Sequence, residues 1–117
     1  MDMETILVLV EQMRPDTDRL LLTAWYAELQ SRIIFELYEG DVQKYFQMEE
    51  YVPFPNLYWT YLLAMTDMVA GKLESYRASY WLFEKAWDTY REMLFKYGCI
   101  NTKELFGIQD NEENEEV

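Results

Sequence analysis

Histidine is absent from this 117-residue chain, and cysteine occurs once, at Cys99. The first absence removes the commonest general base and the commonest metal ligand together. The second rules out an internal disulfide or a thiolate metal cluster. A single thiol fits a reducing compartment, or one where cysteine plays no part. Glycine and proline are also scarce, with four and three copies, so each one present is informative as punctuation. Positive charge is thin: ten Lys and Arg face 22 Asp and Glu, a formal net charge of -12. Such a surface repels phosphate, which opposes tight binding along nucleic acid or at an anionic membrane. No apolar run approaches the roughly 20 residues of a bilayer span. Asp2 and Glu4 stand where a signal peptide would be basic. The expectation is a soluble protein, cytosolic when made.

What the chain has in quantity is apolar and aromatic surface. Hydrophobic residues make up 50% and aromatic residues 17%, too rich for a disordered protein. The length fits one domain able to bury its own core. The pattern predicts an all-α fold: a small helical bundle built on a long C-terminal helical hairpin, with an extended loop and a tail. Ile6, Leu7, Val10 and Met13 predict a first helix over Thr5–Met13. Asp2 is placed to cap it and Pro15 to stop it. Val8 and Leu9 widen its apolar face, so it should pack on more than one neighbour.

Asp16, Thr17 and Asp18 offer caps for a second helix reaching Tyr38. Leu22, Trp25, Leu29, Ile33 and Leu37 form its stripe, and Gly40 is its expected left-handed terminator. Glu28, Arg32 and Glu36 follow at i, i+4 spacing and suit the solvent side. Asp41 could cap a short helix through Tyr45 and Met48. From Glu49 to Pro55 the chain should be an extended connection, because Pro53 and Pro55 forbid a continuous helix.

Asn56 is read as the cap of a helix to Ala70, closed by Gly71. A long helix from about Leu73 to Tyr97 follows, ended by Gly98. Tyr76, Tyr80, Phe83, Trp87, Tyr90, Leu94 and Tyr97 alternate steps of four and three along it, a coiled-coil-like seam. The chain divides into a helical domain over residues 1–99 and an acidic C-terminal tail over 100–117. Ile100, Leu105, Phe106 and Ile108 are apolar beads on that tail, and Asp110–Val117 is an acidic run.

Signals for chemistry are few. Glu49 and Glu50 are adjacent, and adjacent residues diverge on a helix. A Glu-x-x-His metal pair is impossible without histidine. No motif for phosphate, zinc, nucleophilic attack or dinucleotide binding occurs, so no cofactor and no enzymatic activity are expected. The Tyr and Trp stripe could stack bases. Its neighbours Glu74, Glu84, Asp88 and Glu92 alternate with Arg77, Lys85, Arg91 and Lys96, which suits a packed helix with a salt-bridged face. Thr66 and Asp67 interrupt an apolar helix. They are expected to face a partner helix or solvent, the alternative being a buried polar contact that fixes register between subunits. Cys99 is read as a passive small residue near a helix end. Trp25, Trp59, Trp81 and Trp87 with the tyrosines exceed what one small core encloses. Trp81 and Trp87, six positions apart, point to different faces, as do Trp59 and Tyr61. Large aromatics on several helix faces predict a second buried surface made by another chain.

These residues resemble a family of small proteins encoded beside the capsid genes of phages and prophages of Gram-positive bacteria. The family begins with a short helix and a Trp-containing helix of the form WxxELxxRI, matched here by Trp25, Glu28, Leu29, Arg32 and Ile33. A loop leads to a hairpin of the form PFPxLYxxYLxAxxDxxxGExxxYxxxxxLFNxAWxxYxxWY. The matching residues are Pro53, Leu57, Tyr58, Tyr61, Leu62, Ala64, Asp67, Gly71, Tyr76, Phe83, Ala86, Trp87 and Tyr90. The match spans most of Thr5–Gly98 and departs at Ala70, Lys72, Arg77, Ala78 and Glu84. The resemblance implies a head–tail connector, or adaptor: a structural virion protein of the neck, present in the host cytoplasm during assembly. Its partners would be further copies of itself in a ring, the portal protein above, and a tail-side neck or stopper protein below. Double-stranded DNA would pass an acidic lumen without tight binding. A ring needs two different faces per subunit. The tail residues Ile100, Leu105, Phe106 and Ile108 would dock on the portal, ordering as they bind. Glu49, Glu50, Tyr51 and Phe54 would form a contact loop toward a neighbouring subunit or the tail side. Two other readings stay open: a small acidic phage regulator or DNA-mimic inhibitor, and a tail-assembly chaperone.

Overall fold

The computed structural model describes residues 1–51 and 53–97. They form five helices and, among the described residues, no strand: α1 Met3–Met13, α2 Arg19–Leu37, α3 Val42–Tyr51, α4 Asn56–Val69 and α5 Leu73–Lys96. The predicted all-α class holds. Gly98, the expected terminator of the last helix, and Cys99 lie outside the described residues.

Helix α4 is the centre. Leu57, Tyr58, Tyr61, Leu62, Leu63 and Ala64 are all buried, an apolar surface too broad for one partner. It packs most extensively on α5, and also on α2 and α1. α1 lies on both α2 and α4, as the width of its apolar face requires. Ile6, Leu7 and Val10 are sealed in, while Met13 stays partly exposed. Of the α2 stripe, Leu22, Leu29, Ile33 and Leu37 enter the core and Trp25 packs at its edge.

The helix ends follow local chemistry, with two departures. Asp2 accepts from the Thr5 backbone N–H at 2.9 Å, and Asp18 accepts from that of Leu20 at 2.9 Å. Asn56 does not cap α4. Pro55 sits at the cap position in helical geometry without a side-chain bond, because its ring presets the helical φ one residue early. The Asn56 Oδ1 atom accepts instead from the Trp59 indole N–H at 3.0 Å. At the end of α2 the left-handed turn begins at Glu39, with φ 53°, and continues through Gly40, with φ 85°. The Gly40 N–H then reaches the Ile34 carbonyl at 2.9 Å.

Gly71 behaves as expected. With φ 76° it closes α4: its N–H bonds the Met68 carbonyl at 3.1 Å, and the Lys72 N–H bonds the Asp67 carbonyl at 2.9 Å. That is the paired arrangement by which a left-handed residue satisfies the last carbonyls of a helix. A Cβ built on Gly71 meets no atom within 4 Å. Gly71→Ala is therefore expected to cost only the backbone penalty, about 1–2 kcal/mol, read as a lowered midpoint in thermal unfolding with the helical circular dichroism unchanged.

Candidate functional site

The proposed contact loop is largely helical. Glu49, Glu50 and Tyr51 belong to the last turn of α3, and among the described residues between α3 and α4 Pro53–Pro55 lie outside a helix. The reason is tertiary. Tyr45 is buried and pins α3 to the bundle, which makes extension of the helix past Met48 favourable. The Tyr45 hydroxyl bonds the Tyr58 hydroxyl and accepts from the Gln30 amide at 3.2 Å. Its ring meets Tyr38 edge-on at 5.6 Å. The four residues also divide in their surroundings. Glu50 and Tyr51 are exposed, whereas Phe54 packs on Tyr90 at 5.4 Å.

Glu49 turns inward. Its Oε2 atom is buried without a hydrogen-bond partner. It sits in a group of tyrosines: Tyr58 stacked on Tyr26 at 4.5 Å, and Tyr38 sharing a hydroxyl bond with Tyr90 at 2.7 Å. Burial pushes the Glu49 carboxyl above the usual range, an effect partly offset by the chain's amino terminus and the Tyr90 hydroxyl. Burial raises the Tyr26, Tyr45, Tyr58 and Tyr90 phenols too. Tyr61 donates to Glu28 at 3.1 Å and is pushed up to about 12, chiefly by burial. These tyrosines stay neutral hydroxyls near neutrality, and their bonds to one another make the cluster a hydrogen-bonded part of the core.

The α5 seam is narrower than its sequence spacing. Ser79, Phe83, Ala86, Tyr90 and Leu94 are its buried residues. Tyr76, Tyr80 and Trp87 lie at the rim and Tyr97 is exposed. The rim rings form a ladder, Tyr76–Tyr80 at 5.6 Å, Tyr80–Phe83 at 5.6 Å and Phe83–Trp87 at 5.9 Å. Arg32 lies over Trp87 at 4.7 Å, beside a shallow cleft of about 320 Å³. Trp81, 55% exposed with Lys85 over its ring at 5.4 Å, lines the other side of the same cleft. Trp87 packs against the core and Trp81 does not. Phe35, Phe46 and Tyr51 are also more than half exposed.

Of the two positions expected for Asp67, the solvent side is overturned and the partner-helix side holds, since it meets α5 through Ser79. It is fully buried. Its carboxylate accepts from Arg14 Nε at 2.7 Å, from Arg14 Nη2 at 2.9 Å and from the Ser79 hydroxyl at 3.1 Å. The contact fixes register within one chain, tying the end of α1 to α4 and α5. The Arg14 guanidinium holds the Asp67 carboxyl below its usual range. Nothing in the sequence singled out Arg14; the available signal was an arginine just before Pro15 with an aspartate stranded in an apolar helix. Thr66 Oγ1 beside it is buried without a partner, on the wall of a cleft of about 510 Å³ that Trp25, Leu21 and Val69 also line.

The proposed portal-docking residues Ile100, Leu105, Phe106 and Ile108 lie outside the described residues. Among the described residues, no group of three or more acidic, Cys or His side chains could hold a metal. No described helix is long and apolar enough to cross a membrane. Compared with models of protein families, with curated proteins and with solved structures, the chain matches none.

Proposed function

We propose that this chain is a non-enzymatic subunit of a phage head–tail connector, a ring beneath the portal through which DNA passes. The observation that carries the reading is the distribution of aromatic side chains. Phe35 on α2, Phe46 and Tyr51 on α3 and Trp81 on α5 are each more than half exposed, although the core is already filled. Single exposed apolar residues are ordinary, but large rings on three helices are the composition of subunit contacts. A ring uses two different faces of each copy. The net charge of -12 suits a channel that DNA crosses without sticking. The exposed face of α5 mixes Glu84, Asp88 and Glu92 with Lys85 and Arg77, which disfavours a DNA mimic, since that presents carboxylates spaced along one exposed face.

In this reading the tail 100–117 docks on the portal, and the end of α3 with Pro53 and Phe54 meets a neighbour or the tail side. The test is electron microscopy of the protein mixed with a candidate portal protein, together with mass spectrometry of purified particles. A ring on the portal and the protein in finished virions are expected. Deleting residues 100–117 is expected to abolish portal binding while the helical signal persists. Portal binding by the truncated chain would refute the docking assignment, and absence from virions would favour a chaperone.

A further inference from the structure

α3 is the least anchored of the five helices. Its ten residues carry one buried side chain, Tyr45, and Val42, Phe46 and Tyr51 are each at least half exposed. A helix that short is marginal in water and lasts only while packing holds it. The other four helices pack on one another. α3 is held through side chains, by the Tyr45 hydroxyl on Tyr58 and Gln30 and by Glu49. Both flanks suit a hinge. Before α3, Glu39 stands in the left-handed region at φ 53°, followed by Gly40 at φ 85°, and a residue with a side chain adopts that conformation only at a cost. After it, residues 53–55 lie outside any helix, because the prolines there block a continuous helix into α4.

Glu49 makes that hold conditional. Its Oε2 atom is buried with no hydrogen-bond partner. The titratable groups facing it are phenols from three other helices, Tyr26 on α2, Tyr58 on α4 and Tyr90 on α5, with Tyr45 of its own helix and the chain's amino terminus. Among the described residues no ion pair joins Glu49 to a cation. A protonated carboxyl is neutral and can donate to a phenol oxygen, whereas a carboxylate only accepts and brings a charge that burial penalises. We propose that α3 is a hinged segment, and that loss of the Glu49 proton raises the fraction of molecules in which it has left the bundle. Opening hydrates the carboxylate and lets the Glu39 backbone relax, while α1, α2, α4 and α5 keep their shared core, a local rather than a global event. The sign follows from burial. Docking raises the Glu49 pKa, so the docked form is favoured below the ordinary value of 4.5 and loses that advantage as pH rises through the docked value. The device involves one copy alone and does not rest on the connector reading.

Hydrogen exchange of the full chain tests this, read by mass spectrometry at about pH 4.5 and about pH 7.5 and corrected for the intrinsic rate at each. Protection of the amides of residues 45–51 is expected to fall about 5–30-fold between the two, while α2 and α4 keep theirs. Glu49→Gln is expected to abolish the fall. Glu50→Gln, at an exposed position of the same helix, is expected to leave it in place. Equal protection of residues 45–51 at both pH values overturns the inference. So does a fall that survives Glu49→Gln or disappears with Glu50→Gln. Loss of protection in α2 and α4 in step with α3 overturns it too, because the event is then unfolding of the whole bundle.

Discussion

Arg14→Ala is expected to lower the unfolding midpoint by about 12–20 °C, the shift that follows from losing about 3 kcal/mol in a domain of this size. Arg14 is itself 28% exposed, and its own packing is modest. The cost arises at Asp67, whose side chain is 1% exposed. Without the guanidinium a carboxylate is left in the core with only Ser79 to satisfy it, and an uncompensated buried charge is far more costly than the pair is worth. Replacing both partners with apolar residues of similar size, Arg14→Met with Asp67→Leu, is therefore expected to cost much less than either change alone. Thermal unfolding of the two single variants and the double variant, analysed as a cycle, checks this. Additive losses would show that the pair does not act as a unit. The pH dependence has a definite sign. Arg14 lowers the Asp67 pKa on folding, so the pair's contribution is present at neutrality. It is lost as pH falls below the ordinary value of 3.8 and through the lower folded value.

Glu49→Gln is expected to stabilise the protein at neutral pH, by about 1–2 kcal/mol, the scale of a buried unsatisfied polar atom. Here the sign is opposite. Burial raises the Glu49 pKa on folding, so the folded state holds that proton more tightly than the unfolded chain. The stability linked to it is fully present below the ordinary value of 4.5 and fades as pH rises through the folded value. Glutamine stays neutral and can also donate within the tyrosine group. The difference in stability between Glu49→Gln and the parent should grow from pH 4.5 toward neutrality, measured by chemical denaturation at several pH values. Glu50→Gln, one residue on and exposed, is expected to show little difference. Equal profiles for the two variants would show that the Glu49 carboxyl is solvated.

These two sites mark where reading the chain as a string stops. Helix positions came from periodicity and punctuation, which are local: Asp2, Asp18, Pro15 and Gly71 act within a few residues of where they stand. The same locality misplaced Asn56, because either Asn56 or Pro55 could start α4 and the proline's preset φ prevailed. It also ended α3 too soon, since the buried Tyr45 that holds that helix in place finds its partners in α2 and α4. On α5 the aromatic spacing located the seam but made it too wide. Which side of α5 the other helices cover decides that Phe83 and Tyr90 are sealed while Tyr80 and Trp87 remain at the rim.

By itself the sequence determined the helical class and most helix ends. It excluded histidine-based chemistry and an internal disulfide, and it required a surplus of aromatic surface. Each depends on which residues are present or on spacings shorter than a helical turn or two. The tertiary structure alone decided that Arg14 and Asp67, 53 positions apart, form one buried pair, and that Glu49 faces tyrosines. It also decided that Arg32 lies over Trp87 and that Glu28 accepts from Tyr61. Those outcomes depend on how helices distant in sequence pack, because the cost of burying a charge is set by the groups that surround it in space.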